Sequence, residues 1–412
     1  MVRVRIAPSP TGMAHVGTAY VSLFNLAFAR KNGGKFILRI EDTDKKREVE
    51  GGIDVIKEGL SWLGLTWDEF YRQSERLSIY KEYAEKLLKE GKAYEEDGGI
   101  ILKVEKEDVS WKDLVRGEIT FPADEVSDFA IIKKDGFPTY NFAVVVDDWQ
   151  MKVTHVIRAE DHISNTPRQI AAYKALGANI PEFAHVPLLR NKDKSKISKR
   201  KNPVALSWYK EEGYLPEALV NFLCLLGWSH PEEKEVFDMD EFVKNFDLER
   251  VRKAGPVFDM DKLDWMNGEY IKSMDDKKLA DTLAAFYKER YEKDLLTKTA
   301  PLVKERIRKL SEYESLASFY YEQPKIDKEL FGKDYKDHLE SAVEVLESVG
   351  KWEANNLGEV LVGVADKKGF HRGDFFMNLR VAVTGKKVTP PFNESVEILG
   401  KEETIKRLKT VL

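Results

Sequence analysis

A turn-rich segment close to the start of the chain could bind phosphate groups. Residues 7–12 contain two prolines and a glycine, and His15 and Gly17 follow just before an apolar helical pattern that runs to about residue 32. A helix N-terminus presents free backbone N–H groups and the positive end of its dipole to an anion, and His15 could donate to phosphate oxygens. The alternative is a tight turn that carries a surface histidine, and the spacing alone does not decide between the two.

A basic run near the middle of the chain could contact a nucleoside triphosphate. Residues 192–201 include five lysines and one arginine against a single acidic residue, Asp193. Lys196 and Lys199 lie three residues apart on a loop that follows a predicted strand. Their charge would stabilise a departing pyrophosphate, which is electrostatic rather than covalent catalysis. The alternative is a solvated, charged loop.

A third candidate is Arg158, which lies at the end of an apolar stretch predicted to be a strand. Glu160, Asp161 and His162 follow it directly. An arginine carried on a buried strand needs a planar anionic partner, either within the protein or bound to it. A structural ion pair with Glu160 is the alternative.

The elements that position these residues alternate between strand and helix in the first half of the chain. The patterns predict strands over residues 2–6, 35–40, 142–146, 153–158 and 184–189 and helices over 15–32, 48–63 and 167–176. Strand, helix and strand at this spacing form a βαβ unit and therefore a parallel sheet, at whose carboxyl edge the first candidate segment lies. After residue 203 helical patterns dominate, over 216–226, 276–291, 304–321, 335–349 and 357–368, with a fully buried helix expected over 219–228.

Composition restricts the class of protein. The 412 residues suit two to four domains, and 42% apolar residues are enough for full-sized cores, which excludes a disordered chain. A single cysteine, Cys224, excludes a disulfide framework and a thiolate zinc cluster. No apolar run approaches the roughly 20 residues that span a bilayer, and the first residues enter a strand pattern without a leader. We therefore expect a soluble, cytoplasmic protein without a membrane partner.

Taken together, the motifs resemble the bacterial-type glutamyl-tRNA synthetases, which are class I aminoacyl-tRNA synthetases. Residues 15–18 (His-Val-Gly-Thr) resemble the first class I signature and residues 196–200 (Lys-Ile-Ser-Lys-Arg) the second. Further matching strings occur in the family's order and rough spacing, at residues 5–17, 38–44, 138–148, 157–162, 165–169, 213–218, 227–230, 265–267, 379–385 and 399–402. The resemblance covers nearly the whole chain.

The resemblance implies a role for each candidate residue. Glutamate would be bound by Arg5 and Arg158 at its side-chain carboxylate, with Tyr140 closing the pocket, and by Ala7, Ser9 and Glu41 at its α-amino and α-carboxyl groups. ATP would be bound by Pro8, Ser9, Thr11, Gly12, His15, Gly17, Asp161, Lys196, Ile197, Ser198, Lys199 and Arg200. His15 and Lys199 would be the catalytic residues. His162 lies where some relatives have a larger aromatic side chain. Mg²⁺ would arrive with ATP.

The implied architecture is a Rossmann-like α/β catalytic domain with an α/β insertion, followed by mostly α-helical C-terminal domains. The expected boundaries are 1–76 and 142–203 for the catalytic domain, 77–141 for an insertion that binds the tRNA acceptor end, 204–272 for a stem-contact domain, and 273–325 and 326–412 for two helical anticodon-binding domains. Family members often carry a zinc-binding, cysteine-rich piece after a tyrosine that matches Tyr94. Here residues 95–101 contain no cysteine, so we expect no zinc.

The implied partners are L-glutamate, ATP and tRNA(Glu), with the enzyme acting as a monomer and activating glutamate only with tRNA bound. Some members discriminate the last anticodon base through an arginine in the helix that corresponds to residues 310–321, where this chain has Ser318 and no arginine. Tolerance of tRNA(Gln) is therefore one expectation, and the alternative is that another basic residue, from the region around 304–309, supplies the same contact. The alternatives are a truncated relative that glutamylates a modified tRNA base, an inactive tRNA-binding homologue and a bare nucleotidylyltransferase. The helical region after Trp265 and the two signatures argue against them.

Overall fold

A computed structural model describes residues 1–44, 48–197 and 203–412 of the chain. These residues form two compact units: the first comprises Met1–Lys210 and Pro216–Leu263, and the second comprises Glu211–Leu215 and Asp264–Leu412. None of the described helices is both long and apolar enough to cross a membrane.

The first unit opens with the predicted βαβ arrangement. Its elements are β1 (Arg3–Ile6), α1 (Val16–Lys31), β2 (Lys35–Ile40), α2 (Gly52–Trp62) and β3 (Glu69–Arg72). The three strands are parallel in the order β1-β2-β3, with Arg3 opposite Lys35 and Ile37 opposite Glu69. Most residues of β2 and α1 are buried, as expected of a sheet covered on its faces. The predicted parallel sheet is confirmed.

The chain continues through a mixed region and returns to parallel strands. The elements are α3 (Leu77–Lys89), β4 (Ala93–Glu96), β5 (Gly99–Leu102), β6 (Val109–Asp113), β7 (Gly117–Phe121), β8 (Phe129–Ile132), α4 (Tyr140–Gln150), β9 (His155–Ala159), α5 (Thr166–Leu176) and β10 (Glu182–Val186). Strands β4, β5 and β8 form an antiparallel sheet, whereas β6 pairs parallel with β10 in a sheet of order β7-β6-β10-β9. One hairpin of the expected insertion therefore extends the sheet that carries Arg158.

The prediction of a buried strand over residues 142–146 is wrong, because these residues lie in α4. The helix buries every side chain from Phe142 to Asp148, so it has no polar face to reveal a period of 3.6 residues. A short apolar run fits a buried strand and a fully buried helix equally well. The buried helix expected over 219–228 is confirmed as α7 (Pro216–Gly227), which follows α6 (Leu206–Glu211) and precedes α8 (Met239–Asn245) and α9 (Met260–Ser273).

The second unit is helical. It contains α10 (Asp276–Phe286), α11 (Lys293–Val303), α12 (Glu312–Ala317), α13 (Tyr335–Ser348), α14 (Ala354–Lys368), α15 (Arg372–Thr384), α16 (Phe392–Leu399) and α17 (Lys401–Val411). Leucines of α13, α14, α15 and α17 share one apolar core, among them Leu339, Leu361, Leu379 and Leu408. The predicted helices over 335–349 and 357–368 are confirmed.

The prediction of one continuous helix over 304–321 is wrong. The amide of Leu310 donates to the carbonyl of Gly213, and the Glu312 carboxylate accepts from the amides of Arg308 and Lys309. These bonds take the amide groups of residues 308–310 that an uninterrupted helix would use, so no helix runs through these residues and α12 begins at Glu312. The pattern over 276–291 is likewise helical only as far as Phe286.

Candidate active site

A cavity of about 600 Å³ opens in the first unit at the carboxyl ends of β1 and β9, beside the N-terminus of α1. Ligands bind at this edge in open parallel sheets. The predicted site residues that line the cavity are Arg5, Ala7, Pro8, Ser9, His15, Gly17, Glu41, Tyr140, Arg158, Asp161, Lys196 and Ile197. The three candidate segments, which are far apart in sequence, therefore meet in one place.

Two predicted residues lie away from the cavity lining. Thr11 and Gly12 are exposed in the turn between β1 and α1, where the amide of Thr11 donates to the carbonyl of Ser9. Gly12 has a φ of +92°, a conformation that favours glycine, and a Cβ there would meet Val49 at 3.2 Å. The structural role of Gly12 is to allow this turn. Ser198, Lys199 and Arg200 lie outside the described residues.

The N-terminus of α1 faces the cavity and is suited to an anion. His15 is the N-cap residue, and its Nδ1 atom accepts from the amide of Gly17 at 2.9 Å. A neutral imidazole that accepts through Nδ1 carries its proton on Nε2, which is then a donor. A Cβ at position 17 would stand 3.1 Å from that Nδ1 atom, so the glycine permits the close approach. The first turn, residues 16–19, contains no acidic side chain.

Arg158 is buried, 5% exposed, and hydrogen-bonds only neutral groups among the described residues. Its Nε atom donates to His185 Nε2 at 3.1 Å, Nη1 to Gln169 Oε1 at 2.8 Å, and Nη2 to Thr166 Oγ1 at 2.8 Å. Burial, and then the nearby charge of Arg5, act to lower the pKa of Arg158. A buried guanidinium without a carboxylate partner is a strong candidate for binding an anion.

The ion pair between Arg158 and Glu160, left open by the sequence, does not form. Glu160 instead accepts from Arg116 at 2.6 Å and lies 3.5 Å from Arg190.

Arg5 is only partly neutralised. Its Nε atom donates to both carboxylate oxygens of Asp148, at 3.1 and 3.2 Å, and the same carboxylate accepts from Arg39 at 2.6 Å. Burial acts to raise the pKa of Asp148, but the two arginines outweigh it and lower the pKa. Arg39 has two further acidic neighbours, Glu41 at 3.4 Å and Asp147 at 3.6 Å. On this side of the cavity, Arg158 is therefore the arginine without a carboxylate partner among the described residues.

Glu41 follows β2 and lines the same cavity. Burial raises the pKa of its carboxyl group to about 7, although Arg39, 3.4 Å away, acts in the opposite direction. The group can therefore change its charge close to neutral pH.

Tyr140 and His162 lie together at the cavity wall, with the tyrosine hydroxyl 3.0 Å from His162 Nδ1. Burial, and then the charge of Arg158, lower the pKa of His162 to about 4, so this imidazole is neutral at physiological pH. His162 and Asn165 line the cavity without having been assigned a role from the sequence.

Asp161 and Lys196 connect the Arg158 segment with the basic run. Lys196 Nζ donates to Asp161 Oδ2 at 2.7 Å. Burial acts to raise the pKa of Asp161, but the hydrogen bond and the charge of Lys196, with smaller contributions, together outweigh it and the pKa is lowered. Both side chains are exposed, so the pair can open to admit a ligand at little energetic cost.

Several residues around the arginines were missed by the sequence analysis. Asp148, which accepts from Arg5, ends the matching string at residues 138–148, but no role was assigned to it. Thr166 and Gln169, which hold Arg158, were likewise quoted without a role, and Asp113 and His185 were not singled out at all. An acid at the end of an apolar run was the available signal for Asp148.

The arrangement can bind a carboxylate between Arg5 and Arg158 and a phosphate group at the start of α1, in one cavity. The two ligands would lie side by side without a protein nucleophile between them being required.

Comparison with known proteins points to one family. Residues 1–99 and 98–265 match the family model described as "tRNA synthetases class I (E and Q), catalytic domain", and residues 278–412 match "Anticodon binding domain". The chain is 44% identical to a glutamate–tRNA ligase of Acidothermus cellulolyticus, covering 99% of this chain and 95% of that protein. It is 41% identical to a glutamate–tRNA ligase of Thermus thermophilus, covering both chains completely.

A solved structure has the same fold along the whole chain. The crystal structure of a glutamate tRNA ligase from Elizabethkingia meningosepticum in complex with its amino acid is 31% identical, with a TM-score of 0.88. The match covers 99% of this chain and 98% of that one.

Proposed function

The chain belongs to the glutamate–tRNA ligase family of class I aminoacyl-tRNA synthetases, and from this premise we propose the reaction and the role of each site residue. The enzyme activates L-glutamate with ATP to form glutamyl-adenylate and release pyrophosphate. It then transfers the glutamyl group to the 3′-terminal ribose of tRNA(Glu). The observation that supports this most directly is Arg158, a buried cation with neutral partners in the same cavity as Arg5.

Arg5 and Arg158 bind the side-chain carboxylate of glutamate in this proposal. Glutamine would place a neutral amide, with its own N–H donors, against guanidinium groups that are also donors. Sites built on such polar matching reject a near-isostere strongly, so the enzyme needs no editing domain to exclude glutamine. Tyr140 closes the pocket over the substrate.

Glu41, Ala7 and Ser9 orient the reacting end of glutamate. The carboxylate of Glu41, when ionised, receives the α-ammonium group, and the chain at Ala7 and Ser9 places the α-carboxylate. The position of Glu41 directly after β2, in the lining of the cavity, supports this assignment.

ATP lies at the N-terminus of α1 and along the basic run. His15 Nε2 and the positive end of the α1 dipole attract phosphate oxygens, Pro8 lines that side of the cavity, and Thr11 and Gly12 shape the turn beside them. Asp161, Lys196 and Ile197 line the part of the cavity that binds the nucleotide. Ser198, Lys199 and Arg200, which come next in the sequence, also contact ATP in this proposal. Among the described residues no group of three or more potential ligands could hold a metal ion. The residues therefore fit Mg²⁺ as an ion carried by the ATP phosphates, where it neutralises their charge.

The chemistry requires alignment more than covalent catalysis. A carboxylate oxygen of glutamate attacks the α-phosphorus, the acyl–phosphate bond forms as the α–β phosphoanhydride bond breaks, and the leaving pyrophosphate carries away the electron pair. The protein holds the two substrates in line and stabilises negative charge on the leaving group through His15 and Lys199.

The domain roles are part of the same proposal. Residues 77–141 bind the acceptor end, 204–272 contact the stem, and the helical regions 273–325 and 326–412 bind the anticodon. Asp97 and Gly98, with φ values of +50° and +80°, form a tight two-residue hairpin between β4 and β5, at the position where relatives often insert a zinc-binding piece. This geometry supports a protein without structural zinc.

The second unit carries cations that could contact tRNA. The Nε atom of Arg380 is buried with no hydrogen-bond partner among the described residues, and Arg306 is close enough that its charge acts to lower the pKa of Arg380, after burial. Two neighbouring arginines that have no acidic partner within the described part of the chain favour a polyanion.

We also propose that the enzyme tolerates tRNA(Gln). Ser318 is uncharged and short, whereas Lys304 and Lys309, which could replace a discriminating arginine, pair with Asp276 and Glu212. The cation beside Ser318 is Lys386, whose Nζ atom lies 3.4 Å from the serine Oγ. Lys386 is therefore the residue to remove if discrimination is observed.

Glutamate-dependent exchange of pyrophosphate into ATP tests the central proposal. We expect exchange with tRNA(Glu) present and almost none without it. Exchange without any tRNA would favour the truncated relative, exchange without glutamate a bare nucleotidylyltransferase, and no exchange in any mixture an inactive homologue.

A further inference from the structure

We infer that Asp113 and His185 form a buried pair that positions Arg158 for the glutamate side chain. This inference rests on the proposed function, because it assigns a purpose to groups that touch Arg158 rather than the substrate. Asp113 ends β6, His185 lies in β10 and Arg158 lies in β9, so three neighbouring strands carry the three residues.

The pair is fully buried and closely spaced. Both side chains are 0% exposed, and His185 Nδ1 lies 2.5 Å from Asp113 Oδ2. The other ring nitrogen, Nε2, accepts from Arg158 Nε at 3.1 Å. The result is a continuous chain of hydrogen bonds from the carboxylate through the imidazole to the guanidinium.

The direction of each hydrogen bond follows from chemistry. Arg158 has only donors, so His185 Nε2 must be the unprotonated nitrogen and Nδ1 must carry the proton. That proton requires an acceptor, and the ionised Asp113 supplies one. Asp113 Oδ1 is already occupied, since it accepts from the amides of Val115, Arg116 and His185 at 3.0, 2.9 and 3.2 Å. Oδ2 is left to fix the tautomer of the imidazole.

Asp113 is linked to Arg158 through the His185 side chain and does not touch it directly, and this separation has a functional consequence. A carboxylate in direct contact with Arg158 would neutralise the charge that the substrate needs. The imidazole instead holds Nε while Gln169 and Thr166 hold Nη1 and Nη2, all through neutral acceptors. Nη2 also donates to the carbonyl of His162 at 3.4 Å. The guanidinium plane is thereby fixed, and the second N–H of Nη1, which has no partner among the described residues, is available to a carboxylate in the cavity.

Asp113→Asn tests the inference with an almost isosteric change. The three backbone amides at Oδ1 require an oxygen there, so the new NH₂ group must take the place of Oδ2, facing His185 Nδ1. The imidazole would have to move its proton to Nε2, where it would face the N–H of Arg158. Two donors would then oppose each other, and Arg158 would lose the acceptor for its Nε–H group, so that only the bonds to Gln169, Thr166 and the His162 carbonyl would orient it.

We expect Asp113→Asn to raise the KM for glutamate by about 10- to 100-fold, by analogy with the loss caused by mutating residues that orient metal-binding side chains. The KM for ATP and the melting temperature should change little. Asp68→Asn is the matched control, because Asp68 also accepts from a backbone amide, that of Phe36, but is partly exposed and lies outside the cavity lining.

His185→Phe is a second variant in case the first does not fold. A phenyl ring preserves the stacking of His185 on Phe183, where the rings are 8° from parallel, but it cannot accept from Arg158. We expect the same selective rise in the KM for glutamate.

The Arg158→Gln background provides the decisive comparison. If the pair acts through Arg158, adding Asp113→Asn there should not raise the glutamate KM further. The inference would be overturned if the two substitutions raised the glutamate KM multiplicatively in the double variant. It would also be overturned if folded Asp113→Asn protein had an unchanged glutamate KM, or if its KM values for glutamate and ATP rose equally. Absence of glutamate-dependent exchange in the unmodified enzyme would instead refute the proposed function.

Discussion

Replacing Arg158 with glutamine removes a buried charge at the end of β9 while keeping a side chain that can hydrogen-bond. In the folded protein this guanidinium is 5% exposed and has only neutral partners among the described residues. The substrate carboxylate would therefore supply its counter-charge. Without Arg158, glutamate must enter a cavity in which Arg5 already shares Asp148 with Arg39.

The size of the effect follows from the burial. Truncating one partner of a buried, hydrogen-bonded charge pair costs about 2–5 kcal/mol. The lower part of that range applies here, because Arg5 remains and keeps part of the positive charge. A loss of about 2–3.5 kcal/mol corresponds to roughly a 30- to 300-fold higher KM for glutamate, at about 1.4 kcal/mol per factor of ten.

The assay is pyrophosphate exchange at saturating ATP and tRNA(Glu), with glutamate and glutamine varied separately. We expect a large rise in the KM for glutamate, a small change in the KM for ATP and weaker discrimination against glutamine. Arg30→Gln is the matched control, since Arg30 forms a partly exposed pair with Asp68 at the far end of α1 and should leave the kinetics unchanged.

Selective damage to ATP binding would refute the assignment, because it would place the nucleotide rather than glutamate at Arg158. An unchanged glutamate KM in a folded variant would show that the substrate carboxylate binds elsewhere.

Four further predictions concern the other parts of the mechanism. Lys199→Ala should lower the activation rate by orders of magnitude, measured by single-turnover adenylate formation, with tRNA affinity nearly intact; an unchanged rate would remove the loop from the mechanism. Because the pKa of Glu41 is raised to about 7 by burial, kcat/KM for glutamate should fall as the pH decreases below 7 and level off above it; a pH profile that Glu41→Gln does not flatten would contradict this. The purified protein should contain no stoichiometric zinc, and EDTA should inhibit only by removing Mg²⁺; elemental analysis showing one zinc per chain would exclude this. Transcripts of tRNA(Glu) and tRNA(Gln) should be charged at comparable rates. A preference of a hundredfold or more for tRNA(Glu) would show that Ser318 is the wrong residue to consider, and the Lys386→Ala variant would then show whether Lys386 discriminates between the two tRNAs.

Local patterns were sufficient to predict the elements that begin the first unit. The alternation of Val4 and Ile6 with Arg3 and Arg5, and the long apolar run of α1, depend on neighbours within a few residues. Their hydrophobic periods of 2 and 3.6 residues are visible in the sequence because the same face of each element points to the core along its whole length. The motifs at residues 15–18 and 196–200 likewise indicated the family.

Patterns failed where tertiary contacts replaced local ones. Residues 142–146 form a helix buried all round, which hides its period, and the amides of residues 308–310 donate to the Glu312 carboxylate and the Gly213 carbonyl rather than continuing a helix. The contact with Gly213 could not be inferred from the adjacent sequence, because Gly213 lies almost one hundred positions away.

The sequence alone identified arginines at positions 5 and 158 as candidates for anion binding and placed His15 beside a helix N-terminus. Which of the two arginines pairs with a carboxylate of the protein depends on the fold. Arg5 meets Asp148 from α4, whereas Arg158 meets Gln169, Thr166 and His185 and misses the Glu160 next to it in sequence. A charged side chain is neutralised by the groups that packing brings within about 4 Å, and those groups come from other strands and helices, not from its neighbours along the chain.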